Sequence, residues 1–345
     1  MRPRRPRGTA PARWALPVLV AVLVGGCGLT GGPQDALDPA GPVAESQDRL
    51  WNIVFPIAVA VFVLVQGLII VAMVRFRRRP GDDDVPRQVE GNTRLEIVWT
   101  VIPAVILAVI AVPTITTLFG LDDRPEGAMD VTVVGKQYWW EFEYPDSGVV
   151  TATELHIPTG RPVWLTLDGT GPDADVIHSF WVPQLAGKTD YTPGDTQNMW
   201  IQADRPGTYP GQCAEFCGLS HANMKFTVVA QEPGDFRRWL AEQRRPAQPV
   251  AGGLAARGER LFSSQQCIAC HAIDGYDGAD QRVGPDLTHL ASRESFAGGM
   301  LPTTTESLRR WLRDPPAVKP GSQMPDLNLS ASQVDALVAY LQTLE

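Results

Sequence analysis

Residues 50–74, LWNIVFPIAVAVFVLVQGLIIVAMV, and 97–121, IVWTVIPAVILAVIAVPTITTLFGL, contain no charged side chain. Each is long enough as a helix to cross the apolar part of a bilayer. A bilayer offers no water to backbone amides, so a spanning stretch has to be helical. Pro56, Pro103 and Pro113 are tolerable because neighbouring helices satisfy the freed groups. The connection, RFRRRPGDDDVPRQVEGNTRLE (75–96), opens with Arg75, Arg77, Arg78 and Arg79. A basic cluster beside a span stays in the cytoplasm. Residues 27–49 and everything after 121 then lie outside it.

The start of the chain agrees with this topology. MRPRRPRGTAPARWALPVLVAVLVGGC joins a basic segment, a short apolar run and small residues, the make-up of a secretory signal. Its end, Leu23-Val24-Gly25-Gly26-Cys27, resembles a bacterial lipoprotein cleavage box. Residues 1–26 would be the signal and Cys27 the lipidated mature N-terminus, anchored in the lipid of a bacterial cell membrane. A plain signal, or an uncleaved extra helix, with Cys27 incidental, fits the same residues. Net charge is -8 and no basic stripe with interleaved aromatics is present, which excludes nucleic acid as the expected partner.

From about residue 128 the pattern becomes short strands. MDVTVVGKQYWWEFEY, RPVWLTLDG, QNMWIQAD and MKFTVVAQ are rich in β-branched and aromatic residues and are punctuated by Gly, Pro and Asp. Such spacing suggests a β-sandwich or small barrel over 122–235. Alternation along YWWEFEY puts one of Trp139 and Trp140 inward and the other outward. Met199 and His156 fall in strand-like segments and read as packing or surface residues.

Four of the five cysteines form two pairs, Cys213 with Cys217 and Cys267 with Cys270, each with a histidine close behind. That pattern points to metal or cofactor attachment more than to a disulfide framework. GQCAEFCGLSHANM (211–224) adds His221 and Met224, and a sandwich loop can bring in His178 from DVIHSFWVP. A disulfide would leave the histidines and methionine unexplained. Thiolate, imidazole and thioether together favour copper over zinc. Two cysteines, two histidines and a methionine suit two coppers bridged by both sulfurs.

AEQRRPAQPVAGG (241–253) reads as a linker, closing a segment of helix end and linker over 236–253. In the unit 254–345, Cys267-Ile268-Ala269-Cys270-His271 is the attachment signature of a c-type haem: both cysteines become thioethers and His271 an axial ligand. Met324, in GSQMPDLNLS, is the expected opposite ligand, with Met300 the competitor; methionine opposite histidine favours electron transfer. LAARGERLFSS and SASQVDALVAYLQTL read as helices. Ser330 and Gln333 make a capping box, and Val334, Leu337, Val338, Leu341 and Leu344 share a face. His289 has no supporting context and reads as a surface side chain.

DVIHSFWVPQLAGKTDYTPG, GQCAEFCGLSHANM, LEIVWTVIPA and GKQYWWEFEY resemble the motifs of cytochrome c oxidase subunit II, over roughly residues 45–232. The C-terminal unit resembles class I cytochromes c, in which the first and last helices cross. The resemblance implies a multi-domain membrane protein: a two-helix hairpin, a cupredoxin-like sandwich and an all-α cytochrome c unit. It implies that Cys213 and Cys217 bridge the binuclear copper-A pair, completed by His178, Met224, His221 and the backbone carbonyl of Glu215. The Glu215 side chain would reach a magnesium ion bordering subunit I. Trp140 would receive electrons for the copper pair, and Glu96 would stand near the mouth of a proton path. Tyr138 occupies a position where the family often has tryptophan. The Pro285 carbonyl would orient His271. Electrons would pass from an external donor, a cytochrome c or a cytochrome bc complex, through the haem and copper to subunit I, where oxygen is reduced with proton pumping.

Three other readings compete. A quinol oxidase subunit II would need no copper donors. A nitrous-oxide reductase needs a large further domain, while a nitric-oxide reductase differs only in its partner subunit. A copper chaperone would leave Met224, Glu96 and the haem unit unexplained. Residues 122–232 carry 16 acidic and 6 basic side chains, and 254–345 carry 11 and 8. The sandwich is therefore strongly acidic and the cytochrome unit is not basic, so the covalent tether has to do what opposite charge does elsewhere.

Overall fold

The structure, a computed structural model, describes residues 32–78, 81, 85, 88–172 and 174–345. The expected signal (1–26) and Cys27 lie outside the described residues. Helices α1, Pro42–Arg75, and α2, Thr93–Asp122, contain the two uncharged runs. Their hydropathic windows, of mean hydropathy 2.9 and 2.5, bury nothing within the protein, and large apolar side chains such as Phe62, Leu64, Leu107 and Leu118 face outward.

Helix α1 starts at Pro42, ahead of the expected Leu50, so part of the presumed extracytoplasmic segment 27–49 is helical. Proline suits a first helical turn, where its missing N–H is not needed. Ala40 N and Ala44 N donate to Gln184 O and Leu185 O at 2.8 and 3.2 Å, and Val43 and Ala44 are buried. These contacts pin the helix to the sandwich. Asn92 caps α2 by accepting from Arg94 N and Leu95 N. Trp200 Nε1 donates to Leu121 O at 3.1 Å near the helix's other end.

Ten strands follow: β1 Met129–Lys136, β2 Trp139–Tyr144, β3 Val149–Ala152, β4 Glu154–Pro158, β5 Val163–Asp168, β6 His178–Trp181, β7 Lys188–Tyr191, β8 Thr196–Ile201, β9 Gly207–Cys213 and β10 Lys225–Gln231. They form two five-stranded sheets, ordered β3-β2-β1-β5-β8 and β4-β10-β9-β6-β7. Strand β1 runs antiparallel to β2 and parallel to β5, and β10 antiparallel to β9 and parallel to β4. Alternate residues of β5, Val163, Leu165 and Leu167, enter the core with Phe142, Leu155, Ile157 and Phe180. Met199 packs against this core, and His156 stacks on Trp239 with ring centroids 4.1 Å apart.

Strand β2 does not alternate. Trp139 is 8% exposed and Trp140 0%, so both tryptophans are buried where one was expected to face outward. The reason is that the cytochrome unit covers the outer face of this sheet.

Helix α3, Pro233–Gln243, packs on the sandwich, and the cytochrome unit contains α4 Gly253–Ser264, α5 Thr305–Arg313, α6 Pro315–Val318 and α7 Ala331–Leu341. Helices α4 and α7 cross at Gly258, where a Cβ would fall 2.0 Å from Ala336 O. The capping box of Ser330 and Gln333 is formed, and Val334, Leu337, Val338, Leu341 and Leu344 are all buried. His289 departs from expectation. It is buried, with its Nδ1 2.7 Å from Glu345 O, and so ties the chain end into the core.

Candidate metal centre

Strand pairing assembles the first site. Strands β6 and β9 pair with Phe180 opposite Cys213, which sets His178, at the start of β6, beside the end of β9. The ring of His178 fits because residue 135 has no side chain: a Cβ there would come within 2.9 Å of the imidazole. The loop from Cys213 to Met224 is closed by Cys213 N donating to Met224 O at 2.9 Å, with a single 3-10 turn over His221–Asn223.

Five donors converge. The Cys213 and Cys217 sulfurs are 3.9 Å apart, too far for a disulfide. His178 Nδ1 is 3.8 Å from Cys213 Sγ, His221 Nδ1 is 3.6 Å from Cys217 Sγ, and Met224 Sδ is 3.8 Å from Cys217 Sγ. Glu215 contributes its backbone oxygen, 3.2 Å from Cys213 Sγ. His178, Cys213, Cys217 and Met224 are buried. The contact with Cys217 pushes Cys213 well below the ordinary thiol range, and the same contact with burial pushes Cys217 up. A metal bound here would take both sulfurs as thiolates. Two soft sulfurs, two imidazoles and a thioether fit copper.

The second site is a cavity of about 290 Å³ lined by Cys267, Cys270, His271, Leu287, Leu312 and Met324, among other mainly apolar residues. His271 Nδ1 lies 2.7 Å from Pro285 O. Burial lowers the His271 pKa, so the ring is neutral, Nδ1–H donates to that carbonyl, and Nε2 is left to ligate. Gly284 lies under the ring, where a Cβ would be 2.5 Å from it. Trp311 Nε1 donates to Met324 Sδ at 3.1 Å, and Met324, not Met300, lines the cavity. An apolar slot with two cysteines at one edge, an oriented imidazole and a facing thioether fits a covalently held haem.

The cavity is closed by the other domain. Tyr138 and Trp139 line it, and the Tyr138 hydroxyl accepts from Leu219 N, inside the copper-ligand loop, at 3.1 Å. Trp140 does not line it. Its ring lies in the sandwich core, 5.7 Å from the His178 ring and edge-on to it. Tyr138, which lines the cavity and bonds the copper-ligand loop, joins the two sites, whereas Trp140, the expected point of electron entry, lies in the sandwich core beside His178.

Glu96 lies exposed in the first turn of α2, and the Glu215 side chain is half-buried in the ligand loop. Sequence reasoning missed the residues joining the domains. Arg282 pairs with Glu143 and lies 3.8 Å from Glu141. Glu154 accepts from Glu294 N and Ser295 N at 2.7 and 3.1 Å. Lys319 is also buried here. The only sequence signal was charge on strands that otherwise read as core.

Three family models match the chain: cytochrome c oxidase subunit II, transmembrane domain, over 33–117; its periplasmic domain, over 153–231; and cytochrome c, over 255–345. Cytochrome c oxidase subunit 2 of Alkalihalophilus pseudofirmus is 40% identical over 322 residues, covering 90% of each chain. Its counterpart in Bacillus sp. (strain PS3) is 39% identical over 347 residues, covering 95% of each. Quinol oxidase subunit 2 of Bacillus subtilis is 35% identical over 242 residues, covering 67% of this chain and 74% of that one. Spanning hairpin, copper-type donor cluster, haem cavity and these relatives agree: the chain belongs to the cytochrome c oxidase subunit II family, with a cytochrome c unit at its C-terminus.

Proposed function

We propose that this chain is the electron-relay subunit of a haem-copper terminal oxidase. It accepts electrons from an external donor, a cytochrome c or a cytochrome bc complex, and delivers them to subunit I, where oxygen is reduced to water with proton pumping. In this reading Cys213 and Cys217 bridge a binuclear copper-A pair completed by His178, Met224, His221 and the Glu215 carbonyl. The Glu215 carboxylate serves a magnesium ion at the border with subunit I, and Glu96 serves a proton path there. Cys267 and Cys270 hold a haem c, with His271 and Met324 as axial ligands. When bound, these groups supply reversible one-electron exchange. The chain's own residues orient the donors, keep water from the buried thiols and fix the spacing of the two sites. The hairpin crosses a bacterial plasma membrane twice, with both C-terminal domains on the extracytoplasmic face and Cys27 lipidated.

The observation that carries this reading is the shared wall: Tyr138 lines the haem cavity and bonds the copper-ligand loop. The intact copper donors favour it over a quinol oxidase, and the relatives give no support to a nitric-oxide reductase. Metal analysis of the assembled complex, with reduced-minus-oxidised spectra and oxygen uptake, tests it. The expected result is copper and a c-type haem on this polypeptide together with oxygen consumption on a reduced donor. A fully assembled, copper-free chain would overturn it.

A further inference from the structure

Lys319 is 3% exposed, and burial pushes its ammonium down to about 7. Burying an amine costs free energy unless it is hydrogen-bonded, and both partners of Lys319 are backbone carbonyls. Its Nζ donates to Tyr138 O at 2.6 Å, in the copper domain, and to Ala297 O at 2.7 Å, in the cytochrome unit. The residues around it continue the same seam. Ser220, next to His221, donates its hydroxyl to Pro320 O at 2.6 Å. Lys225 N, one residue after Met224, donates to Gly298 O at 2.8 Å. Gly298 has a φ of +69°, and a Cβ there would lie 2.4 Å from Tyr138 O and 2.6 Å from Lys319 Nζ, so a side chain at 298 would force the domains apart.

The segment from Lys319 to Met324 thus runs from the copper-ligand loop to the haem cavity. Pro320 bonds the copper-ligand loop and Met324 lines the haem cavity, while Lys319, which also borders that cavity, ligates nothing. We propose that Lys319 is a positioning residue for electron transfer between the two sites, clamping the cytochrome unit onto Tyr138 so that the sites keep one fixed separation. The inference rests on the electron-relay reading above. The transfer moves a single electron and makes or breaks no bond, so its rate is set by geometry, and small misplacements are costly. A tethered but unclamped domain would have to find its docked pose before each transfer.

The test uses the full-length complex carrying Lys319→Met, with Ser220→Ala as a second, milder opening of the same seam. Methionine fills the space but leaves the Tyr138 and Ala297 carbonyls without this donor, so the unfolding temperature should fall modestly while the fold is kept. In the Met variant, hydrogen exchange at the Lys225 amide should accelerate, which reports undocking without reference to either cofactor. Flash-initiated transfer from haem to copper should slow by about tenfold or more and become dependent on solvent viscosity. The copper near-infrared band and the haem spectrum should be unchanged. Wild-type exchange and a wild-type, viscosity-independent rate in both variants would overturn the proposal. So would a slowed rate accompanied by an altered copper band, which would make Lys319 part of the metal site. Absence of copper from the wild-type complex would instead overturn the electron-relay reading beneath it.

Discussion

At the scale of single residues, the two sites divide cleanly between ligands and the side chains that aim them. Met224 is fully buried and its sulfur lies 3.8 Å from that of Cys217. Met224→Leu keeps volume and removes the thioether, so the copper near-infrared band should shift and transfer should slow while the haem spectrum stays as it was. An unchanged band would remove Met224 from the ligand set. Glu141 behaves differently. Burial holds its carboxyl up at about 7, against the pull of Lys136 and Arg282. The unfolded chain releases this proton near 4.5, so the folded state binds it more tightly. The stabilisation is complete below pH 4.5 and is lost as pH climbs through 7. Glu141→Gln should leave stability unchanged near pH 4.5 and raise it by roughly 1–3 kcal/mol above pH 7, seen as a higher unfolding temperature only at the higher pH. Cys213, Cys217, His221 and Met224 were legible in the sequence because their donors lie within one loop, and Cys267, Cys270 and His271 for the same reason. Lys319, Glu141 and Arg282 were not, because each acquires its role from a surface contributed by a distant part of the chain.

At the scale of elements, periodicity identified the spans, the crossing helices and five of the ten sandwich strands, β1, β2, β5, β8 and β10. What it could not supply was what covers each face. Helix α1 begins at Pro42 because the sandwich grips its first turn through Gln184 and Leu185, a contact with no local signature. His289 looked like a surface residue because its partner, the Glu345 carbonyl, lies 56 positions away in the sequence. The α4–α7 crossing depends on the missing side chain at Gly258. Gly258→Val should lower the stability of the cytochrome unit by about 1–3 kcal/mol or more through overpacking. Thermal unfolding followed at the haem absorbance should show a lower midpoint, with the copper band untouched. If both signals fell together, the two domains would be unfolding as one body and the crossing would not be a local feature.

At the scale of the whole molecule, both soluble domains are net acidic, so bulk charge does not hold them together. Specific contacts do: Arg282 with Glu143, Glu154 with the amides of Glu294 and Ser295, and Lys319 with Tyr138. From Ala247 onward the linker is docked on the cytochrome unit, with Ala247 N donating to Asp274 O at 2.8 Å and Val250 packing on its core, which leaves only the stretch before Ala247 as a tether. Inserting about ten Gly and Ser residues between Arg245 and Pro246 should change the haem-to-copper rate by less than about twofold, because loop closure costs rise only slowly with length. A collapse of the rate would show that the tether, not the seam, sets the geometry.

Strand β2 is walled in on both sides. In a freely exposed sheet, every second position is open to mutational drift, and random changes are absorbed there without loss. Here that freedom is gone: Trp139 and Glu141 are as constrained as Trp140 and Phe142. Fusion has therefore narrowed the range of sequences this strand can explore, and the cytochrome unit cannot be discarded without baring Trp139 and stripping Glu141 and Glu154 of their partners in that unit.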